Sequence, residues 1–383
     1  MEHFEAIVLG CGGVGSAALF ELARRGVRVL GLDRFPPAHD RGSSHGSTRI
    51  IRQAYFEHPD YVPLLQRAYD LWQALEERSG QSLYHEVGLL EVGPPDGIVI
   101  PGVLKSAQQH RLDIERLTAR EIELRWSGFR VPEHLTGVFE RRAGYLLVER
   151  CVLAHLEAAQ QAGAQLKVGE AVRNWQVQGN TVTVETDRTT YAADRLIIAA
   201  GAWSGPLLAE FGVKLTVRRK PFFFLKNQDP RLTADAGCPT YFFELAEGYF
   251  YGFPQIDPRG IKVAEHSGGT PLNDPLQVDR TLHQEDYERI AAFVQQSLPT
   301  ASVEISEHAV CMYTMSADEN FIVDRHPDHE QVVFAAGLSG HGFKFTTVLG
   351  EALADLALNG KTALPIEFLA LARSGLATPN NKA

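Results

Sequence analysis

Cysteine is scarce and scattered: the 383-residue chain has four, at positions 11, 151, 238 and 311, with no C-x-x-C pair. That spacing excludes a disulfide framework and a cysteine-based zinc site, and it leaves reduced thiols of a cytoplasmic protein as the expectation, with no metal. No apolar run reaches the ~18 residues of a spanning helix. The opening Met1-Glu2-His3-Phe4-Glu5 is acidic where a signal peptide is basic, and the closing Thr378 to Ala383 is no peroxisomal address. A formal charge of -10 without any basic stripe argues against a nucleic-acid partner. Internal repeats and low-complexity segments are also missing, which removes solenoids and fibres. The remaining composition, 44% hydrophobic and 22% charged, is that of a globular domain, and the length suffices for two.

Against these absences one stretch is rich in signal. Ala6-Ile7-Val8-Leu9 runs straight into Gly10-Cys11-Gly12-Gly13-Val14-Gly15, as a buried parallel strand does before a tight turn. Ser16 to Arg25 has helical spacing and ends at Gly26; a second apolar run, Val27 to Leu32, stops at Asp33. Each part has a mechanical role in dinucleotide binding. Gly10 allows the turn, Gly12 lets backbone approach a pyrophosphate, Gly15 lets helix and strand pack closely, and the helix N-terminus faces the phosphates. Asp33, 18 residues beyond Gly15, stands where a carboxylate accepts a ribose hydroxyl.

Further along, Arg34 to Ser47 is turn-rich and too polar for core, hence a candidate functional loop. Tyr61 to Arg78 predicts an amphipathic helix. From Tyr84 to Val148 short apolar runs alternate with Gly and Pro, with one helical piece, Ala119 to Trp126. Cys151 to Ala162 predicts a helix closed by Gly163, and Val172 to Val184 a hairpin turning at Gly179-Asn180. Arg195 to Ala200 is a buried strand running into Gly201, a return to the first sheet. Phe222 to Lys226 and Tyr241 to Pro254 are aromatic and strand-like, and Asp286 to Gln296 is helical. Finally Val332 to Ala336 runs into Gly337-Leu338-Ser339-Gly340-His341-Gly342-Phe343-Lys344 and a helical pattern to Leu358. Two glycine turns opening helices suit a long cofactor with two ends. The second aims a helix N-terminus at a group that becomes negative, as a reduced flavin does. A nicotinamide enzyme does not require that second site.

The glycine motif, Gly46-Ser47-Thr48-Arg49-Ile50-Ile51-Arg52, Tyr251-Gly252-Phe253-Pro254, Ala309-Val310-Cys311-Met312-Tyr313-Thr314 and Ser339 to Phe345 together resemble monomeric sarcosine oxidase and its N-methyltryptophan oxidase relatives. These belong to the D-amino-acid-oxidase-like flavoproteins, and the similarity runs in order from about residue 5 to about residue 360. The resemblance implies an α/β, two-domain flavoprotein: a Rossmann-like FAD-binding domain (1–85, 146–217 and 320–383) with an inserted, mainly antiparallel β-sheet substrate domain (86–145 and 218–319). To the motif residues Gly10, Gly12, Gly13, Val14, Gly15 and Asp33 it adds, as cofactor contacts, Arg34, Ser43, Thr48, Arg49, Val172, Gly201, Trp203, Cys311, Met312, Gly340, Gly342, Phe343 and Lys344. It implies a thioether from Cys311 to the flavin. Arg52 and Lys344 grip a substrate carboxylate, Tyr251, Tyr313 and His266 line the pocket, and Arg49 lies beside the flavin ring. Lys262 lies over the flavin, where a cation favours electron transfer to O2. By composition alone Cys311 reads as packing and Lys262 as an exposed lysine.

The implied activity is FAD-dependent oxidation of a small secondary amino acid, sarcosine first, to an imine that hydrolyses, with O2 reduced to H2O2 in a cytoplasmic monomer. Glu265, the aromatic Tyr241-Phe242-Phe243 and Phe222-Phe223-Phe224 depart from the family's pattern, and such changes alter pocket volume more than reaction type. N-methyltryptophan, a cyclic imino acid or a bulkier N-alkyl amino acid therefore stay open as substrates. A nicotinamide-dependent dehydrogenase and a flavin-binding protein without turnover remain as rivals of another class.

Overall fold

A computed structural model describes residues 1–207, 212–374 and 376. The strand Glu2–Leu9 lies at the centre of an eight-stranded sheet, paired in parallel with Val29–Asp33 on one side and Thr190–Ile198 on the other. Both faces of such a strand are covered, which explains why Ala6, Ile7 and Val8 are apolar without alternation and wholly buried. Gln165–Val168 extends the sheet beyond Val29–Asp33, while the hairpin Val172–Gln178 with Thr181–Thr186 closes the other edge. Val332–Ala336 adds in parallel to Thr190–Ile198, and Ile322–Arg325 pairs antiparallel with it. The helix Gly13–Arg24 returns over this sheet. A side chain at Gly15 would collide with the Gly10 carbonyl oxygen, so glycine there sets the close approach of helix and strand.

The second sheet has nine strands, all antiparallel except where Thr240–Leu245 runs parallel to Leu89–Gly93. The aromatic runs seen in the sequence split between its faces. Tyr241, Phe243 and Phe250 turn into a core with Phe129 and Phe293, where the Phe250 and Phe293 rings stack at 4.7 Å. A small third sheet, Thr48–Ile51, Gly144–Leu147 and Tyr84–His85, lies between these layers in the chain and carries Arg49.

Most predicted elements form within a few residues of their expected bounds: helices Tyr61–Ser79, Ala119–Arg125, Val148–Gln161, Gln284–Ser297 and Thr346–Asn359. One prediction fails. Val99–His110 is a helix where the sequence reads as short apolar runs broken by Gly and Pro. Pro101 falls in its first turn, where no N–H is needed. The Glu244 carboxylate caps it from afar, accepting the Ile98 and Val99 N–H groups at 2.9 and 2.8 Å. A cap 145 residues away leaves no local signature.

Candidate active site

Two cavities meet at the junction of the sheets. The larger, about 350 Å³, runs from Gly10–Val14 and Asp33–Arg34, past Ser43, Arg49, Val172, Gly201 and Trp203, to Cys311–Thr314 and to Gly337, Leu338, Gly340, Gly342 and Phe343. The smaller, about 60 Å³, is lined by Arg52, Glu57, Phe242, Tyr251, His266 and Lys344. Arg49, Tyr313, Gly340 and Phe343 line both.

At the first end, the N-cap of the helix Gly13–Arg24 is Gly12, which has no side chain to accept from the first-turn N–H groups. Ser44 Oγ takes the Gly13 N–H at 3.0 Å, and the other groups of that turn face a ready-made anion site. Asp33 accepts the Cys11 N–H at 2.7 Å and the Phe35 N–H at 2.9 Å, so its carboxylate is fixed at the cavity wall. Gly13 also meets the second glycine turn, its Cβ position lying 2.7 Å from Thr346. The two turns that the sequence separates by over 300 residues therefore flank one elongated space. A long phosphate-bearing cofactor with a ring at the far end fits it.

At the far end the Arg49 guanidinium donates to the Thr48 and Ser43 carbonyls at 2.8 and 3.0 Å and lies 3.2 Å from Cys311 Sγ. Burial would raise the Cys311 thiol, but Arg49 and His45 beside it bring it down to about 6, so it is largely thiolate at neutral pH. Its neighbour Met312 lines the cavity and accepts from Ser43 Oγ at 2.6 Å.

In the smaller cavity Arg52 is 4% exposed and held by Glu57 at 2.8 and 2.9 Å and by the Ala54 carbonyl at 3.0 Å. Glu91 lies 3.5 Å away with both oxygens otherwise unpartnered among the described residues, and burial pushes its carboxyl up to about 8. Lys344 donates to the His341 carbonyl at 2.8 Å; burial, then the Arg52 charge, draw its ammonium down to about 7. Burial and then Lys220 bring His266 to about 3, so it is a neutral ring, 3.4 Å from the Tyr313 hydroxyl.

Three predicted residues, Lys344, Thr48 and Lys262, lie elsewhere than their expected roles suggest, and Gly15 keeps its role of packing the helix on its strand without touching the cofactor space. Lys344 lines the smaller cavity only. Thr48 is 1% exposed and faces Lys262, which itself lines neither cavity. Lys262 Nζ donates to the Gly46 and Thr48 carbonyls at 2.6 and 3.0 Å, behind the Arg49 loop. Of the departures flagged in the sequence, only Phe242 enters the pocket. Glu265 turns outward to Arg289 at 2.7 Å, Tyr241 and Phe243 belong to the core, and Phe224 lies under Arg259. Sequence reasoning missed Glu57, whose position five residues after Arg52 was its one signal. It also missed His341, and it missed Lys220, which donates to the His266 and Ser267 carbonyls at 3.2 and 2.6 Å.

The pattern of the FAD dependent oxidoreductases matches residues 5–356. The chain belongs to that family. A monomeric sarcosine oxidase of Bacillus sp. (strain B-0618) is 38% identical over 98% of this chain and 97% of its own length. An N-methyl-L-tryptophan oxidase of Salmonella dublin is 36% identical, covering 94% and 96%. Among solved structures, NikD, described as an unusual amino acid oxidase essential for nikkomycin biosynthesis, superposes with a TM-score of 0.86 at 28% identity, covering 97% and 98%. FAD is thus the cofactor of this family of oxidoreductases, and the larger cavity has the glycine cradle and acid that FAD needs. Among the described residues no helix is long and apolar enough to cross a membrane, and no cluster of His, Cys, Asp or Glu is placed to hold a metal ion.

Proposed function

We propose that this protein is an FAD-dependent amine oxidase acting on a small secondary amino acid, with sarcosine as the first candidate. The observation that carries this reading is the small cavity lined by both Arg52 and Lys344, set against the end of the FAD-shaped one. Residues 1–85, 146–217 and 320–383 form the FAD-binding part, and residues 86–145 and 218–319 the substrate part.

Bound FAD supplies a two-electron acceptor that can pass its electrons on to O2, giving H2O2. Arg52 and Lys344 bind the substrate carboxylate; the carboxylate competes with Glu57 for the Arg52 fork. Phe242, Tyr251 and Phe343 close the pocket against water and limit the N-alkyl group. The amine reacts as its neutral form, since its lone pair feeds the developing imine, and His266 beside it is a neutral ring that adds no further positive charge. The imine leaves and hydrolyses, for sarcosine to glycine and formaldehyde. Lys262 is the cation beside which O2 is reduced, acting through the 46–48 loop. Cys311, a thiolate next to Arg49, carries the covalent link to FAD. The Bacillus relative, a monomeric sarcosine oxidase, supports a monomer, and four buried unpaired cysteines suit a cytoplasmic location.

A panel of sarcosine, N-methyltryptophan, proline, pipecolate and bulkier N-alkyl amino acids, read by peroxide release, tests the substrate. Sarcosine should lead. A yellow protein that no secondary amine bleaches anaerobically would overturn the assignment, and fastest turnover of N-methyltryptophan would replace the substrate.

A further inference from the structure

The bend at Gly46 and Ser47 is strained and braced from two sides. Its residues have φ of +92° and +71°, and the second is a serine, for which the left-handed region is unfavourable. A Cβ at residue 46 would stand 2.6 Å from the Phe222 ring, so glycine is required there. Such a conformation persists only when its surroundings over-determine it.

Those surroundings are the start of the helix Val148–Gln161. The Glu149 carboxylate accepts the Gly46 N–H at 2.6 Å and the Ser47 N–H at 3.1 Å from each of its oxygens. The Val148 N–H donates back to the Ser47 carbonyl at 2.9 Å. Two successive N–H groups converging on one anion form a backbone nest. Nothing in the reaction outlined above uses Glu149.

The consequence lies at the opposite end of the same peptide. The Gly46 carbonyl and the Ser47 N–H belong to one planar unit, so their directions are locked together. The N–H points at Glu149 and the carbonyl points at Lys262 Nζ, 2.6 Å away. Lys262 is 2% exposed and has no ion-pair partner among the described residues. Glu149 is its counter-charge at one remove, delivered through a polarised amide. Burial and Arg49 oppose the Lys262 ammonium, while the Cys311 and Glu149 charges favour it.

We propose that Glu149 is a positioning residue: it fixes the Gly46–Ser47 peptide so that the Lys262 Nζ is held in place for reduction of O2. The inference rests on the role given to Lys262 above.

The test uses the FAD-loaded enzyme with Glu149→Gln, Glu149→Asp, Lys262→Met and the Glu149→Gln/Lys262→Met double variant. Reduction by sarcosine and reoxidation by O2 are followed separately by stopped flow, and amide exchange over residues 44–50 by mass spectrometry. A misplaced group costs up to ~100-fold in rate. Glu149→Gln should slow reoxidation about tenfold, leave reduction far less changed and speed exchange at residues 46 and 47. Glu149→Asp, which keeps the charge, should recover part of both losses and serves if the Gln variant does not fold. The double variant should reoxidise no more slowly than Lys262→Met alone. Unchanged exchange or reoxidation in Glu149→Gln, with Lys262→Met slow, would overturn the inference while sparing the Lys262 role. Equal further slowing in the Lys262→Met background would overturn it as well. Full-rate reoxidation in Lys262→Met would remove the Lys262 role and the inference with it.

Discussion

Carboxylate binding should weaken steeply as pH rises from 7 to 9. The perturbation is the titration of Lys344, whose buried ammonium loses its proton near 7 in the free site. An anion that binds only the protonated form loses about tenfold in affinity for each pH unit above that value, until the lysine of the complex titrates too. At ~4 Å and an effective dielectric constant of ~20, a carboxylate beside the ammonium contributes ~4 kcal/mol, or ~3 pH units, so the complex titrates near ~10. Between pH 7, where half the lysine is already neutral, and pH 9 Kd should therefore rise by roughly 50-fold. Glu91, which ionises near 8 and lies beside Arg52, adds a repulsive charge and steepens the rise above that pH. His266 and His341, near 3 and 4, are neutral throughout this window. The assay is a titration of the flavin spectrum with propionate, which has no amine to titrate, at half-unit steps from pH 6 to 9. Lys344→Met should weaken binding at pH 6 and leave only the shallower slope due to Glu91. A Kd independent of pH, or a slope untouched by Lys344→Met, would refute the argument.

The same buried lysine should cost stability. Its folded value lies below the unfolded one, so the fold disfavours the protonated form; the penalty is full below about 7 and fades as pH rises toward the unfolded value of 10.5. Lys344→Met should accordingly raise the melting temperature of the ligand-free protein at pH 7 and do so less at pH 10; an equal effect at both would disprove the cause. Cys311→Ser should keep the yellow colour of the native protein but release it to the supernatant on acid precipitation, whereas the parent keeps it in the pellet; colour released from both would return Cys311 to packing. Phe242→Ala should cost about 3 kcal/mol in urea unfolding. It should also raise relative turnover of bulkier N-alkyl amino acids; an unaltered substrate profile would show that another side chain sets the pocket's size.

What the sequence made legible follows the range of the forces involved. The Gly10–Gly15 turn, its helix and Asp33 could be read because strand, glycines, helix, strand and acid follow one another within a single βαβ unit. The Val99–His110 helix could not, because Glu244 supplies its cap from another strand. The aromatic triplets showed a sheet but not which ring enters the cavity, since strand alternation fixes relative faces and not which face is inward. Arg52 and Lys344 came through the resemblance, while Glu57 and Glu149 stayed hidden. Both are acids whose meaning appears only once the chain brings them to a buried base or a strained bend. In Lys262 the sequence suggested an exposed side chain opposite apolar neighbours, and the structure shows a wholly buried one. Alternation predicted its direction, and the loop lying over it supplied the burial.

The buried charges around the smaller cavity, of which Lys344 lines it and Lys220 and Lys262 stand behind its walls, argue for a site built to receive an anion. Lys220, Lys262 and Lys344 are each at most 5% exposed, none has an ion-pair partner among the described residues, and burial lowers each below the usual lysine range. Every one is instead held by backbone carbonyls, which solvate an ammonium without neutralising it. A fold selected for stability alone would pair such groups with acids or replace them by apolar side chains. Arg52 is the contrast, since Glu57 already occupies its fork. On the proposed function, an arriving substrate carboxylate would meet Lys344 as a cation without an acidic partner and Arg52 as one already engaged. Lys344 should govern the affinity of first encounter, and Arg52 the geometry reached after Glu57 yields. Removing Glu57's charge with Glu57→Gln should then tighten propionate binding in the parent protein more than in Arg52→Lys, where the fork is gone. Equal tightening in both would mean that Glu57 acts only through the field and not by occupying the guanidinium.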